Sequence, residues 1–153
     1  MGNTVFDVGK RVVKPLLHGG REVLRVSVLQ PSPGCDTPVA RHVRALCEAL
    51  VAYATRELYP AAAAALECAV QEGRALDFVP QRYEITVGST AKKRLLCVEI
   101  GVRHTQGKDT LFSHRLATYW TPDGAIQRTR KDARTRRRRI GRCDRGTFYK
   151  KFP

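Results

Sequence analysis

The chain changes its hydrophobic period near Pro80, and that change limits the fold more than any other feature. From Thr37 to Gly73 the apolar side chains recur in steps of three and four. From Tyr83 to Trp120 they recur in steps of two. The first spacing puts one apolar stripe on a helix, and the second puts one apolar face on a strand. A helix stripe and a sheet face that are both apolar are buried together most economically by packing on each other, so the expected class is α+β.

The helical half begins at Thr37-Pro38. Threonine caps free backbone N–H groups, and proline at the first helical position loses nothing by lacking its own. Val39, Val43, Leu46, Cys47, Leu50, Val51, Ala54 and Leu58 follow on one face. Pro60 disfavours helical geometry at Tyr59 and cannot donate to the helix ladder, while alanines 61–65 favour helix strongly. A kinked helix pair is therefore expected, the second member running from Pro60 to Gln71 and ending before Gly73, which suits a C-terminal cap.

One strand precedes the helices. Leu24, Val26 and Val28 alternate with Val23, Arg25 and Ser27, and the turn cluster Pro31-Ser32-Pro33-Gly34 stops them. Three strands follow. Tyr83, Ile85 and Val87 alternate with Glu84 and Thr86; Leu96, Val98, Ile100 and Val102 with Cys97, Glu99 and Arg103; Phe112, His114, Leu116, Thr118 and Trp120 with Ser113, Arg115 and Tyr119. Thr121-Pro122-Asp123-Gly124 is a tight-turn signal, with a further short strand expected at 125–129. The expected order is β-α-α-β-β-β on an antiparallel sheet, with the helix pair on one face. Residues 1–21 read as an irregular N-terminal arm in which Val12-Val13 and Leu16-Leu17 could form a short strand. Residues 22–127 read as the single domain and 128–153 as an Arg-rich tail.

Charge is segregated along the chain. The last twenty-six residues hold twelve Lys or Arg against two Asp, a net +10 of the chain's +14. Such a local field attracts polyanions whatever the body does. The candidate nucleic-acid-binding residues are Arg130, Lys131, Arg134, Arg136, Arg137, Arg138, Arg139, Arg142, Lys150 and Lys151, with Phe148 and Tyr149. Guanidinium forks pair with phosphates and release condensed counterions, and aromatic rings stack on unpaired bases. The competing reading is a solvated tail that aids solubility or localisation.

Other chemistry is weakly represented. Five cysteines and four histidines are scattered with no zinc spacing, so no metal or cofactor is expected, and the thiols read as reduced small hydrophobes. Cys143, between Arg142 and Asp144, is the one thiol in a cationic setting. No GxSxG, HExxH, GxxxxGK[ST] or GxGxxG motif occurs, and the chain is expected not to be an enzyme. If Val102 pairs with His114, His104 and His114 approach diagonally; with Glu99 they form the only catalytic set worth naming, ranked below rim histidines with satisfied hydrogen bonds. Glu84 and Glu99 read as ordinary cross-strand partners of Lys92, Arg94, Arg103 or Arg115. Trp120 reads as a core anchor. At 42% hydrophobic the chain is globular, and no stretch reaches the roughly 18 apolar residues of a membrane span. Nor do residues 1–20 contain a signal-peptide pattern, so a cytoplasmic location is expected.

The stretches VLRVSVLQP (23–31), the helix from Thr37, YEITV (83–87) and LLCVEIGVRHTQGKDTLFSHRLATYWTPDG (95–124) together resemble a small bacterial domain of unknown function. That domain occurs in the ectodomains of RsiV-type anti-sigma factors and beside some peptidoglycan deacetylases. The resemblance implies a strand, a helix and a meander whose late strands carry aromatics before a tight turn. It implies a protein-interaction or ligand-sensing role, with a protein partner on the sheet face. GVRHTQG stands where the family carries a glycine-rich GGAH segment, and no functional residue transfers.

Overall fold

The computed structural model describes residues 8–92 and 94–134. Six strands form one sheet in the order β1-β2-β3-β4-β5-β6. They are β1 (Val8–His18), β2 (Arg21–Pro31), β3 (Gln81–Lys92), β4 (Leu95–Gln106), β5 (Asp109–Trp120) and β6 (Ile126–Arg134). Between β2 and β3 run α1 (Pro38–Tyr53), a π-helical turn (Ala54–Leu58) and α2 (Tyr59–Gln71). The class is α+β as expected.

The helix start follows its local chemistry. Thr37 Oγ1 accepts from the Ala40 N–H at 3.1 Å, and Pro38 occupies the first turn. At Pro60 the helical path widens and does not break. Tyr59 N–H donates to Ala54 O, five residues back, across the π turn. That extra residue relieves the crowding between the proline ring and the preceding turn.

The apolar faces meet as the two periods require. Leu24, Val26 and Val28 on β2, Tyr83, Ile85 and Val87 on β3, and Val98, Ile100 and Val102 on β4 are all buried. They share one core with Val39, Val43, Cys47 and Leu50 on α1 and Ala62 and Leu66 on α2. A bulge in the β1–β2 pairing, where Leu16 faces Leu24 but Leu17 faces Glu22, leaves Val23 out of the ladder, and Val23 joins Leu24 in the core at 0% exposure. Trp120 is a core anchor. It is 3% exposed, donates Nε1–H to Thr118 Oγ1 at 2.8 Å, and meets His42 of α1 edge-to-face at 5.2 Å. The following turn docks on the same helix. Gly124 has φ +88°, a backbone conformation that favours glycine, and a Cβ there would sit tightly against Pro38 Cγ at 3.1 Å.

Three features depart from the sequence-based expectation. First, β1 is an eleven-residue strand where an irregular arm was expected, joined to β2 through Gly19 and Gly20, whose φ values are +61° and +77°. Two consecutive positive-φ residues are the signature of a tight primed hairpin turn. Lys10, Arg11, Lys14 and Pro15 mask the strand's pattern, but an edge strand tolerates them. Second, the sheet is mixed. β2 and β3 are parallel, with Val26 opposite Tyr83, because the helical connection returns the chain to the same end of the sheet before β3 begins. All other neighbours are antiparallel. Third, the short strand expected at 125–129 runs from Ile126 to Arg134. Seven residues of the expected basic tail are therefore a sheet strand.

Candidate functional site

The helices cover one face of the sheet, and among the described residues no element covers the other. Its residues are those that alternate with the core. Arg82, Glu84, Thr86 and Gly88 come from β3, Glu99, Gly101, Arg103 and Thr105 from β4, and Ser113, Arg115 and Ala117 from β5. The register stacks them in rows across the strands: Glu84, Arg103 and Ser113 form one row, Thr86, Gly101 and Arg115 the next, and Gly88, Glu99 and Ala117 a third.

The middle of this face is a trough. Gly88 and Gly101 contribute no side chain, and Thr86 and Ser113 contribute short ones. A depression of about 410 Å³ lies over Gly101 between Glu84, Glu99, Arg103 and Arg115. A second, of about 700 Å³, continues past Arg82 and Thr105 to Gly107 and Lys108, and the two share Glu84 and Arg103. One end is closed by a small apolar cluster, Cys97, Ala117 and Tyr119 with Leu95 against them. At the far side Arg11 of β1 donates to Ser27 Oγ at 2.7 Å, which fixes one further guanidinium on the same surface.

Opposite charges on this face are neighbours but not partners. Glu84 lies directly opposite Arg103 in the ladder, yet the described residues hold no ion pair between Glu84 or Glu99 and Arg82, Arg103 or Arg115. Glu84 thus stands opposite Arg103 as expected, but neither glutamate forms an ion pair with Arg94, Arg103 or Arg115; the Lys92 side chain lies outside the described ones. The three guanidiniums are exposed.

The predicted basic residues divide into two groups. Arg130, Lys131 and Arg134 are on β6, at register positions opposite Ala117, Leu116 and Ser113. Ala117 and Ser113 are residues of the open face, so the basic run starts beside the trough. Arg136, Arg137, Arg138, Arg139, Arg142, Phe148, Tyr149, Lys150 and Lys151 lie outside the described residues, as does Cys143.

The histidines sit on the covered side of the sheet. Val102 does pair with His114, which leaves His104 one step away diagonally, opposite Phe112. His104 Nε2–H donates to Gln81 Oε1 at 2.7 Å, and its ring meets Tyr83 edge-on at 6.1 Å. Burial pushes its pKa down to about 4, so the ring is neutral at pH 7. His114 is 6% exposed and stacks on Phe112 at 6.2 Å. Glu99 is exposed on the opposite face, so the sheet separates it from both rings. Among the described residues no group of three or more His, Cys, Asp or Glu could hold a metal ion. No described helix is long and apolar enough to cross a membrane.

Sequence reasoning missed the trough. Its signal was present in Gly88 and Gly101, which interrupt two strands, since an interior glycine marks a place where something approaches the backbone closely. No model of a known protein family matches the chain, and no curated protein matches it.

Proposed function

We propose that this chain is a non-enzymatic binding protein that docks nucleic acid through its C-terminal basic run. The observation that carries the reading is the placement of +10 of the chain's +14 in residues 128–153. Support comes from the start of that run on β6, paired with β5, which places Arg128, Arg130, Lys131 and Arg134 on the sheet itself. Arg136, Arg137, Arg138 and Arg139 would neutralise phosphates, and Phe148 and Tyr149 would stack on unpaired bases.

The test is a salt titration of binding to a fluorescent single-stranded oligonucleotide. The full-length chain is compared with the variant carrying Gln at 136, 137, 138 and 139. Each phosphate of a single strand that is no longer neutralised reduces the slope of log K against log[salt] by about 0.7. The quadruple variant is expected to flatten the slope by roughly 3. An unchanged slope overturns the reading.

A second reading follows from the unpaired charges of the open face. A protein-interaction or ligand-sensing domain of the anti-sigma ectodomain kind would use that face to bind an acidic partner. Binding of an acidic protein with equal affinity to the full-length chain and the quadruple variant, with no nucleic-acid binding by either, would favour it.

A further inference from the structure

We propose that the trough on the open sheet face is a second nucleic-acid contact, seating the sugar–phosphate chain of a single strand, with Arg82, Arg103 and Arg115 on its phosphates. The proposal rests on the nucleic-acid reading above and extends it from the C-terminal run onto the folded domain.

The shape suits one extended chain. The trough crosses β3, β4 and β5, two inter-strand spacings or about 10 Å wide. From Glu99 to Thr105 it follows β4 for about 20 Å at the rise of an extended strand. A channel of that width matches a single extended strand. Its floor is low because Gly101 has no side chain, and none fits easily: a Cβ there would come within 2.9 Å of Thr86 Oγ1.

The positive charge is available. Arg82, Arg103 and Arg115 are exposed and form no ion pair with Glu84 or Glu99, although these stand near them and Asp132 of β6 is opposite Arg115 in the ladder. A guanidinium presents a planar fork matched to phosphate oxygens, and one that is not already paired has less to give up on binding. The two glutamates, with Asp132 at the β6 side, oppose this and set an upper limit on affinity. The direction of their effect is therefore diagnostic.

The surface favours phosphate over base. The one aromatic of this face among the described residues, Tyr119, is 7% exposed and packed in the small cluster at the closed end. Base stacking is thus not available in the trough. Binding on this face is directed at phosphates and is insensitive to base composition.

The trough also lies beside β6. Ser113 and Ala117 on β5 are directly opposite Arg134 and Arg130 in the ladder. A strand leaving the trough across β5 arrives at the start of the basic run, so both surfaces can engage one ligand.

The experiment uses the full-length chain and fluorescent oligothymidylate, titrated with salt. Arg103→Gln/Arg115→Gln is expected to weaken binding and flatten the salt slope by about 1.4. Glu84→Gln/Glu99→Gln is expected to tighten binding several-fold, because it removes like charge from the phosphate path. All four side chains are surface groups, and unchanged unfolding midpoints confirm that each variant is folded. If the double arginine variant is destabilised, Arg82→Gln serves in its place, with a slope change of about 0.7. An unchanged slope in the arginine variants overturns the proposal, as does weaker binding by the glutamate variant. A larger effect on duplex than on oligothymidylate overturns the single-strand assignment. The variant with Gln at 136–139, run in parallel, separates the two readings. Loss of slope in that variant alone leaves the C-terminal reading standing and removes the trough. Loss in the sheet variants alone does the reverse.

Discussion

Tyr59 donates its hydroxyl to the backbone carbonyl of Leu17 at 2.6 Å, and so ties the first turn of α2 to the outer strand of the sheet. The residues are forty-two positions apart. Within the sheet β1 pairs only with β2 among the described residues, its Val12, Val13 and Leu17 are exposed, and its His18 also meets Glu67 of α2 at 2.7 Å. The Tyr59 bond holds this edge to the helical layer. Tyr59→Phe is expected to lower unfolding free energy by about 1 kcal/mol, the net value of a typical intramolecular hydrogen bond. Faster amide exchange confined to β1 would locate the effect, and uniform exchange across the sheet would contradict it.

His104 makes stability depend on pH. Burial holds its folded pKa at about 4, against 6.5 for the ordinary side chain. Between those values the unfolded chain binds a proton that the folded chain does not. The contribution of the neutral ring is complete above about pH 6.5 and is lost progressively as pH falls toward 4. Denaturant midpoints measured across that window should fall for the natural chain and fall less for His104→Gln.

Cys47 makes the opposite prediction at high pH. Burial, with Glu48 nearby, raises its thiol pKa from 9.0 to about 11. The unfolded chain therefore loses this proton first, and stability is lost as pH rises from about 9 through 11. The same burial makes the thiol unreactive at neutral pH. Alkylation mapped by mass spectrometry should label exposed Cys68 in the native state while leaving Cys47 unlabelled until the protein unfolds.

β6 makes the place of any truncation matter. A chain ended after Gln127 loses most of a strand that pairs with β5 from Ser113 to Trp120. It also exposes the β5 edge as a template for association. Such a chain is expected to unfold at lower denaturant concentration than one ended after Arg134, and to aggregate more readily by light scattering. Equal midpoints for the two would show that β6 adds nothing to the sheet.

Much of this architecture could be read from local pattern. Thr37 and Pro38 announce a helix start, because capping is a matter of neighbouring backbone groups. The turn at Gln106–Asp109 could be read, but counting from it alone sets Val102 opposite Ser113; the bulge between His104 and Thr105 shifts the register by one and brings Val102 opposite His114. Trp120 at the end of an apolar alternation read as core and is core. The strands at either edge were harder. β1 carries Lys10, Arg11, Lys14 and Pro15, and β6 carries four basic residues among its nine, Arg128, Arg130, Lys131 and Arg134, so neither shows an apolar alternation. Edge strands need little hydrophobicity, since their ladder bonds on one side do the holding.

Periodicity, capping and turn chemistry are properties of adjacent residues, and they travel with the chain wherever it goes. For that reason the class, the helical segment and four of the strands were present in the order of the amino acids. Which strands become neighbours, and which side chains share a surface, depend on contacts between residues far apart. The parallel pairing of β2 with β3, the row that joins Thr86, Gly101 and Arg115, and the absence of an ion pair between Glu84 and Arg103 arise only when the sheet has assembled. Charge density along the C-terminal run could be counted from the chain. The basic trough at its side could not, because its residues come from three strands and meet only across the ladder.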